Sequence, residues 1–226
     1  MNRDTMPKER PILFSGPMVR AILAGTKSQT RRVVKPQPAF IESSGRWTWP
    51  IPKTKAAKGC CTSVCTASRE WYEYLLPEQL PYGQPGDRLW VRETWRVFGG
   101  REYEYQQEQR AVKYRAELLD AIEYLQAEWR PSIFMPRWAC RLLLEVASVR
   151  AERLQAISEA DAVAEGVDAV TMADVPRQAT WSRRDDYRQL WDSLNKARGY
   201  GWDVNPWVWV IEFKRPHDIP NPERKP

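Results

Sequence analysis

The densest run of reactive side chains is Gly25-Thr26-Lys27-Ser28-Gln29-Thr30-Arg31-Arg32. It brings one lysine, three hydroxyl residues and two arginines into eight positions. A lysine becomes a base, or a local cation for developing negative charge, when burial or nearby positive charge lowers its pKa. A hydroxyl activated by such a base becomes a nucleophile. Arginines such as Arg31 and Arg32 can clamp a phosphate through two parallel hydrogen bonds. The same residues also fit a solvated basic strand edge. Lys27 and Thr30 are three apart, so a regular strand would aim them at opposite faces. A shared site therefore needs a bend or bulge near Ser28.

Other candidates are scattered. Arg92 and Glu93 follow an apolar stretch and would either line a pocket or form an ordinary surface pair worth about 0–1 kcal/mol. Trp90, Trp95 and Trp138 could stack on a base, although a tryptophan more often packs in a core. Cys60, Cys61 and Cys65 form a cluster with one CxxxC spacing, while Cys140 and the single histidine, His217, stand far off. A structural zinc site takes about four ligands. The cluster therefore reads as reduced thiols in a loop, with no metal and no cofactor expected. No phosphate-binding loop, dinucleotide fingerprint or Ser-His-Asp order is visible.

The elements that must position these residues are short. Pro11–Phe14 predicts a strand. Ser15-Gly16-Pro17 predicts a helix start, with Pro17 in the first turn and Gly25 as the stop. Thr26–Val34 predicts a strand. Residues 40–82 are punctuated by Gly45, Pro50, Pro52, Gly59, Pro77 and Pro81 and read as an irregular insertion. Further strands are expected from Leu89 to Val97, over Ala111–Arg115 and over Arg141–Val149, the last extending towards Leu154. A helix is expected over Glu117–Glu128, and a Pro-bounded loop over Trp129–Pro136. Ser158-x-x-Asp161 has the spacing of a capping box and opens a short helix through Glu165, stopped by Gly166. Ser182–Ala197 predicts an amphipathic helix with Tyr187, Leu190, Trp191 and Leu194 on one face. In Pro206–Lys214, Trp207, Trp209, Ile211 and Phe213 alternate with Val208, Val210 and Glu212, as in a strand. Residues 1–216 are expected to form one domain, and the charged, proline-rich residues 217–226 a disordered tail.

Composition narrows the partner. The 226 residues carry 35 Lys and Arg against 29 Asp and Glu, a net charge of +6, and 12 of them are tryptophan. Excess positive charge attracts polyanions at long range, and exposed aromatic faces stack on bases. The expected partner is a nucleic acid or nucleoside, RNA first, with no membrane involvement. The chain has no apolar run near the ~18 residues that mark a membrane span. Met1–Arg10 lacks the apolar core of a secretory signal, so the expected compartment is the cytoplasm.

The run Ile22–Arg32 resembles the G-x-K-x-x-T-x-R signature of ASCH domains, which belong to the PUA-like superfamily of small β-barrels. Pro81–Glu93 resembles the family's second block, and Arg130–Arg141 and Gly199–Lys214 resemble blocks of longer ASCH proteins from phages and prophages. The resemblance implies an α+β fold built on a PUA-like barrel with flanking short helices. It also implies work on RNA or modified bases. One ASCH group hydrolyses the amide of acetylcytidine with a lysine, a threonine and a glutamate. Carried onto this chain, the lysine and threonine fall on Lys27 and Thr30, and the glutamate, late in the chain in a helix before the closing strands, on Glu165. Thr30 would attack or position a water, Lys27 would act as base or stabilise negative charge, and Glu165 would orient or exchange protons. Arg31, Arg32, Arg92, Glu93, Trp90, Trp95 and Trp138 would contact substrate or nucleic acid. Longer members often carry a histidine in place of Phe134, so any chemistry of that group is absent here. The alternatives are a non-catalytic RNA or DNA reader, a ribonuclease, and a phage interaction protein.

Overall fold

Five strands form one sheet. β1 (Glu9–Leu13) runs parallel to β5 (Arg88–Arg92). The pairs of β5 with β8 (Leu143–Arg153), β8 with β9 (Trp207–Lys214) and β9 with β2 (Gln29–Val33) are antiparallel. These assignments come from a computed structural model that describes residues 6–41, 46–48, 80–98, 111–117, 128–167 and 182–215.

The central strand β9 is apolar on both faces because each face meets a separate core. Trp209, Ile211 and Phe213 pack with Ile12, Leu89, Val91, Leu144 and Val146. The same core takes Val19 and Ile22 from α1 (Gly16–Leu23). Val208 and Val210 point the other way, as strand alternation requires, into a core with Leu154, Ile157, Tyr187, Trp191 and Trp202. That second core lies under α2 (Glu159–Ala164) and α3 (Arg183–Asn195). A third core gathers Trp90, Trp95, Tyr114, Met135, Ala139 and Cys140 beneath a ribbon of β6 (Trp95–Phe98) and β7 (Ala111–Tyr114).

The local signals that start and stop the helices act as their chemistry dictates. Ser15 is extended before α1, a proline occupies its first turn, and Gly25 ends the turn after it at φ 77°. The Ser158 hydroxyl accepts from the Asp161 N–H while the Asp161 carboxylate accepts from the Ser158 N–H, a reciprocal cap at the start of α2. Ser182 and Asp185 cap α3 in the same way.

The fold is mixed α+β, as the strand and helix pattern implies. Among the described residues the sheet is open, with β1 and β2 as its two edges. The segment 40–82 is not irregular at its start: β3 (Ala39–Ile41) and β4 (Arg46–Thr48) pair as a short antiparallel ribbon. All of its prolines and glycines but Gly45 come after this ribbon, which is why the pairing is hidden in composition. The helix expected over Glu117–Glu128 lies largely outside the described residues, and Arg115–Glu117 is a single 3-10 turn. The loop expected over Trp129–Pro136 contains a 3-10 turn at Ser132–Phe134. Residues 49–79, Cys60, Cys61 and Cys65 among them, and the tail with His217 lie outside the described residues. Among the described residues, no helix is long and apolar enough to cross a membrane.

Candidate functional site

Past Gly25 the chain folds back on α1: the N–H groups of Thr26 and Lys27 both donate to Ala21 O, at 3.0 and 3.2 Å. Lys27 then forms a one-residue antiparallel bridge with Glu165. The Ser28 N–H donates to Ala164 O at 2.9 Å, and Ser28 O accepts from the Phe213 N–H at 2.9 Å. Only at Gln29 does β2 begin. The strand is thus interrupted at Ser28, where a site shared by Lys27 and Thr30 needs a break. The close approach also explains Gly166, at φ 75°. A Cβ there would lie 2.9 Å from Lys27 Cβ and 3.1 Å from Ala21 Cβ.

Lys27 is 3% exposed. Its ammonium donates to Gln29 O at 2.7 Å, to Glu165 O at 2.7 Å and to Glu165 Oε2 at 2.9 Å. Burial pulls its pKa below the ordinary lysine value, against the opposing charge and hydrogen bond of Glu165. Two of the three acceptors are backbone carbonyls, which have no proton to give, so the arrangement fits the ammonium, which has three donors and no acceptor.

Glu165 ends α2 and is likewise buried. Its second oxygen faces Arg31 Nη1 at 3.4 Å, and Arg31 Nη2 lies 3.2 Å from Asp161 Oδ2 and 3.6 Å from Glu152 Oε2. The cluster alternates in sign from Lys27 through Glu165 and Arg31 to Asp161 and Glu152. Burial acts against the charge of Asp161, but hydrogen bonds from Ser158 and the charges of Arg31 and Arg150 outweigh it and hold the carboxyl below its ordinary range.

Beside this network a cleft of about 450 Å³ opens between β2 and α3. Thr30, Arg31 and Glu165 are among its buried lining residues. Phe14, Tyr82, Tyr187, Trp191 and Tyr200 give it aromatic walls, and Arg32, Lys35 and Arg198 add positive charge. Lys27 is not among the lining residues; it holds Glu165 from behind. Arg32 donates to Leu13 O at 2.5 Å and stacks over the Phe14 ring at 5.2 Å.

Tyr187 is a site residue that the sequence pattern conceals. It reads as one member of the apolar face of α3, and it does pack in the second core. Tyr187 also lines the cleft. Burial first, and the Glu165 carboxylate second, raise the pKa of its phenol well above the ordinary value. The phenol therefore stays a neutral donor. The available signal is that Tyr187 carries the one hydroxyl in the stripe Tyr187, Leu190, Trp191, Leu194.

The remaining candidates do not line the cleft. Glu93 is no surface partner of Arg92: it is 1% exposed and takes a two-pronged contact from Arg141, Nε to Oε1 at 2.8 Å and Nη2 to Oε2 at 3.0 Å. Burial pushes the Glu93 carboxyl up, against the lowering effect of Arg141. Arg141 also bonds Glu117 and stacks over Tyr114 at 4.0 Å. Arg92 stacks on Trp90 at 4.6 Å. Trp90 and Trp95 are buried in the third core and offer no face to a base. Trp138 meets the edge of Trp95 at 5.7 Å and is the one of the three with substantial exposure. Phe134 projects into solvent at 71% exposure. Cys140 is buried, and burial raises its thiol pKa. Among the described residues no group of three or more His, Cys, Asp or Glu side chains could hold a metal ion.

Comparisons with protein families, with curated proteins and with solved structures find no match.

Proposed function

We propose that this protein is an ASCH-type domain of PUA-like build that takes a nucleobase derivative, free or within RNA, into the cleft between β2 and α3. There it removes the acyl group from an N4-acylated cytosine. The carrying observation is that Glu165, held by the Lys27 ammonium at 2.9 Å, lines the same cleft as Thr30. Aromatic side chains in its lining suit a flat base, and about 450 Å³ lies within the usual size of small-molecule sites.

The reaction we propose uses residues that line this cleft. The Thr30 hydroxyl attacks the amide carbonyl carbon and passes its proton to Glu165. In this scheme the oxyanion that forms takes hydrogen bonds from two residues of the cleft lining, the Tyr187 phenol and the Arg31 guanidinium. Glu165 returns the proton to the departing cytosine amine as the C–N bond breaks. Water then cleaves the threonyl ester, with Glu165 as base, and releases the carboxylic acid. Lys27 holds and orients Glu165; with all three protons engaged, it serves as a fixed cation rather than as the base.

The test is incubation with N4-acetylcytidine and measurement of released cytidine and acetate. Release by the parent protein and its loss in Thr30→Val are expected; no release by the parent protein sinks the hydrolase reading. A second reading, a reader without catalysis, has its own observation. A lysine saturated by protein acceptors is what a purely structural ion pair requires. That reading predicts salt-sensitive binding of cytidine-containing RNA that survives Thr30→Val, with no turnover.

A further inference from the structure

The charge lining the cleft is unbalanced in a way that amide hydrolysis does not use. Four cationic side chains line it, Arg31, Arg32, Lys35 and Arg198, against a single carboxylate, Glu165. Glu165 is already matched by Lys27 and Arg31. Among the described residues, Arg32, Lys35 and Arg198 have no carboxylate partner. Arg32 Nε is buried without a hydrogen-bond partner.

Two of these cations, Lys35 and Arg198, belong with Tyr200, one of the aromatic walls. Lys35 follows the end of β2, and its ammonium lies 5.3 Å from the centre of the Tyr200 ring. Tyr200 stands just beyond the turn that carries Arg198, and its carbonyl is anchored by the Trp191 indole N–H at 2.7 Å. Lys35 and Arg198 are both exposed, so they sit where the cleft meets solvent, whereas Thr30 and Glu165 are buried. A cation near the end of α3 gains from the helix dipole, which accounts for Arg198 by itself. Lys35 belongs to a different element, and its contact with the Tyr200 ring holds a second cation at the same rim. A flat ring held among aromatics, with an anion a short linker away at a cationic rim, is the shape of a nucleotide.

We infer that Lys35 and Arg198 form a phosphate subsite, so that the cleft takes a phosphorylated nucleoside, as a free nucleotide or as one unit of a strand, in preference to an uncharged nucleoside. This rests on the cleft being a nucleobase site, but not on any reaction occurring there.

The test is equilibrium binding, followed by tryptophan fluorescence or calorimetry, with cytidine, cytidine 5′-monophosphate and a short cytidine-containing oligoribonucleotide. The monophosphate is expected to bind about tenfold tighter than cytidine at low salt, a gap of about 1.4 kcal/mol. The double variant Lys35→Ala/Arg198→Ala is expected to bring the monophosphate down to the affinity of cytidine. Both positions are exposed, so the variant should fold; its unfolding temperature checks this. An oligoribonucleotide bound as tightly as the monophosphate, and equally weakened in the variant, assigns the phosphate to a strand; weaker binding assigns it to a free nucleotide. Equal affinity for cytidine and its monophosphate, or a gap that survives in the double variant, overturns the subsite while leaving the base site intact. If neither ligand binds, the base site falls with it. A Lys35- and Arg198-dependent preference in a protein that fails to hydrolyse N4-acetylcytidine supports the subsite and removes only the hydrolase.

Discussion

The Lys27 ammonium lies 2.9 Å from the Glu165 carboxylate, with the two side chains 1% and 4% exposed and 138 positions apart in the chain. Such a pair contributes little against a well-packed apolar substitute, but breaking it from one side leaves an uncompensated buried charge. Lys27→Met should therefore cost about 3–5 kcal/mol, because it also strips a donor from Gln29 O and Glu165 O. Glu165→Gln should cost less, since its amide oxygen can still accept from Lys27. The double variant should be less destabilised than the sum of the singles, the mark of direct coupling. Denaturant unfolding of the four proteins measures all three statements.

Asp161 gives the network an acid-labile end. Its folded pKa lies below the ordinary 3.8, so the unfolded state takes up a proton first as pH falls. The stabilisation is full above about 3.8 and is lost as pH drops through the lower folded value. Asp161→Asn keeps an oxygen for the Ser158 cap but has no proton to gain in this range. Its melting temperature should fall less than that of the parent protein between pH 5 and pH 2. Parallel melting curves would disprove the assignment.

Local signals carried much of the fold because local chemistry decides it. The cap at Ser158 and Asp161, the stop at Gly166 and the alternation of Trp207 to Phe213 need no partner elsewhere in the chain to be recognised. The site was less legible. The interruption at Ser28 depends on Ala164 and Phe213 offering hydrogen bonds from other elements. Glu93 finds Arg141 across 48 positions, while its sequence neighbour Arg92 turns to Trp90. Counting tryptophans could not tell a stacking platform from a core, and Trp90 and Trp95 proved to be core because a third apolar layer covers that side of β5. Tyr187 was hidden because a ring that packs well and a phenol that lines a cleft look alike in a helical pattern.

Glu93 titrates in the opposite sense to Asp161. Burial raises its folded pKa above the ordinary 4.5, so the folded state takes up the proton first and gains stability as pH falls through that raised value. Arg141→Met removes the cation that opposes the rise. It should cost about 3–5 kcal/mol at neutral pH, and part of that loss should return as the pH is lowered towards 4.5. Glu93→Gln in the Arg141→Met background should abolish this recovery. Unfolding free energies at two pH values for the two variants decide the point.

Thr30 and Tyr187 separate the proposed chemistry from the packing around it. Both are almost fully buried, so each substitution must keep its shape. Thr30→Val exchanges a hydroxyl for a methyl, and Tyr187→Phe removes only the phenol oxygen. If Thr30 is the nucleophile, Thr30→Val should lower kcat for N4-acetylcytidine by about 10³-fold or more. Tyr187→Phe, which takes one donor from the oxyanion, should lower kcat by about 10²–10³-fold. Neither change should weaken cytidine binding much, because the aromatic walls remain. A loss of binding as large as the loss of kcat in Tyr187→Phe would place the phenol on the ground-state substrate and not on the transition state.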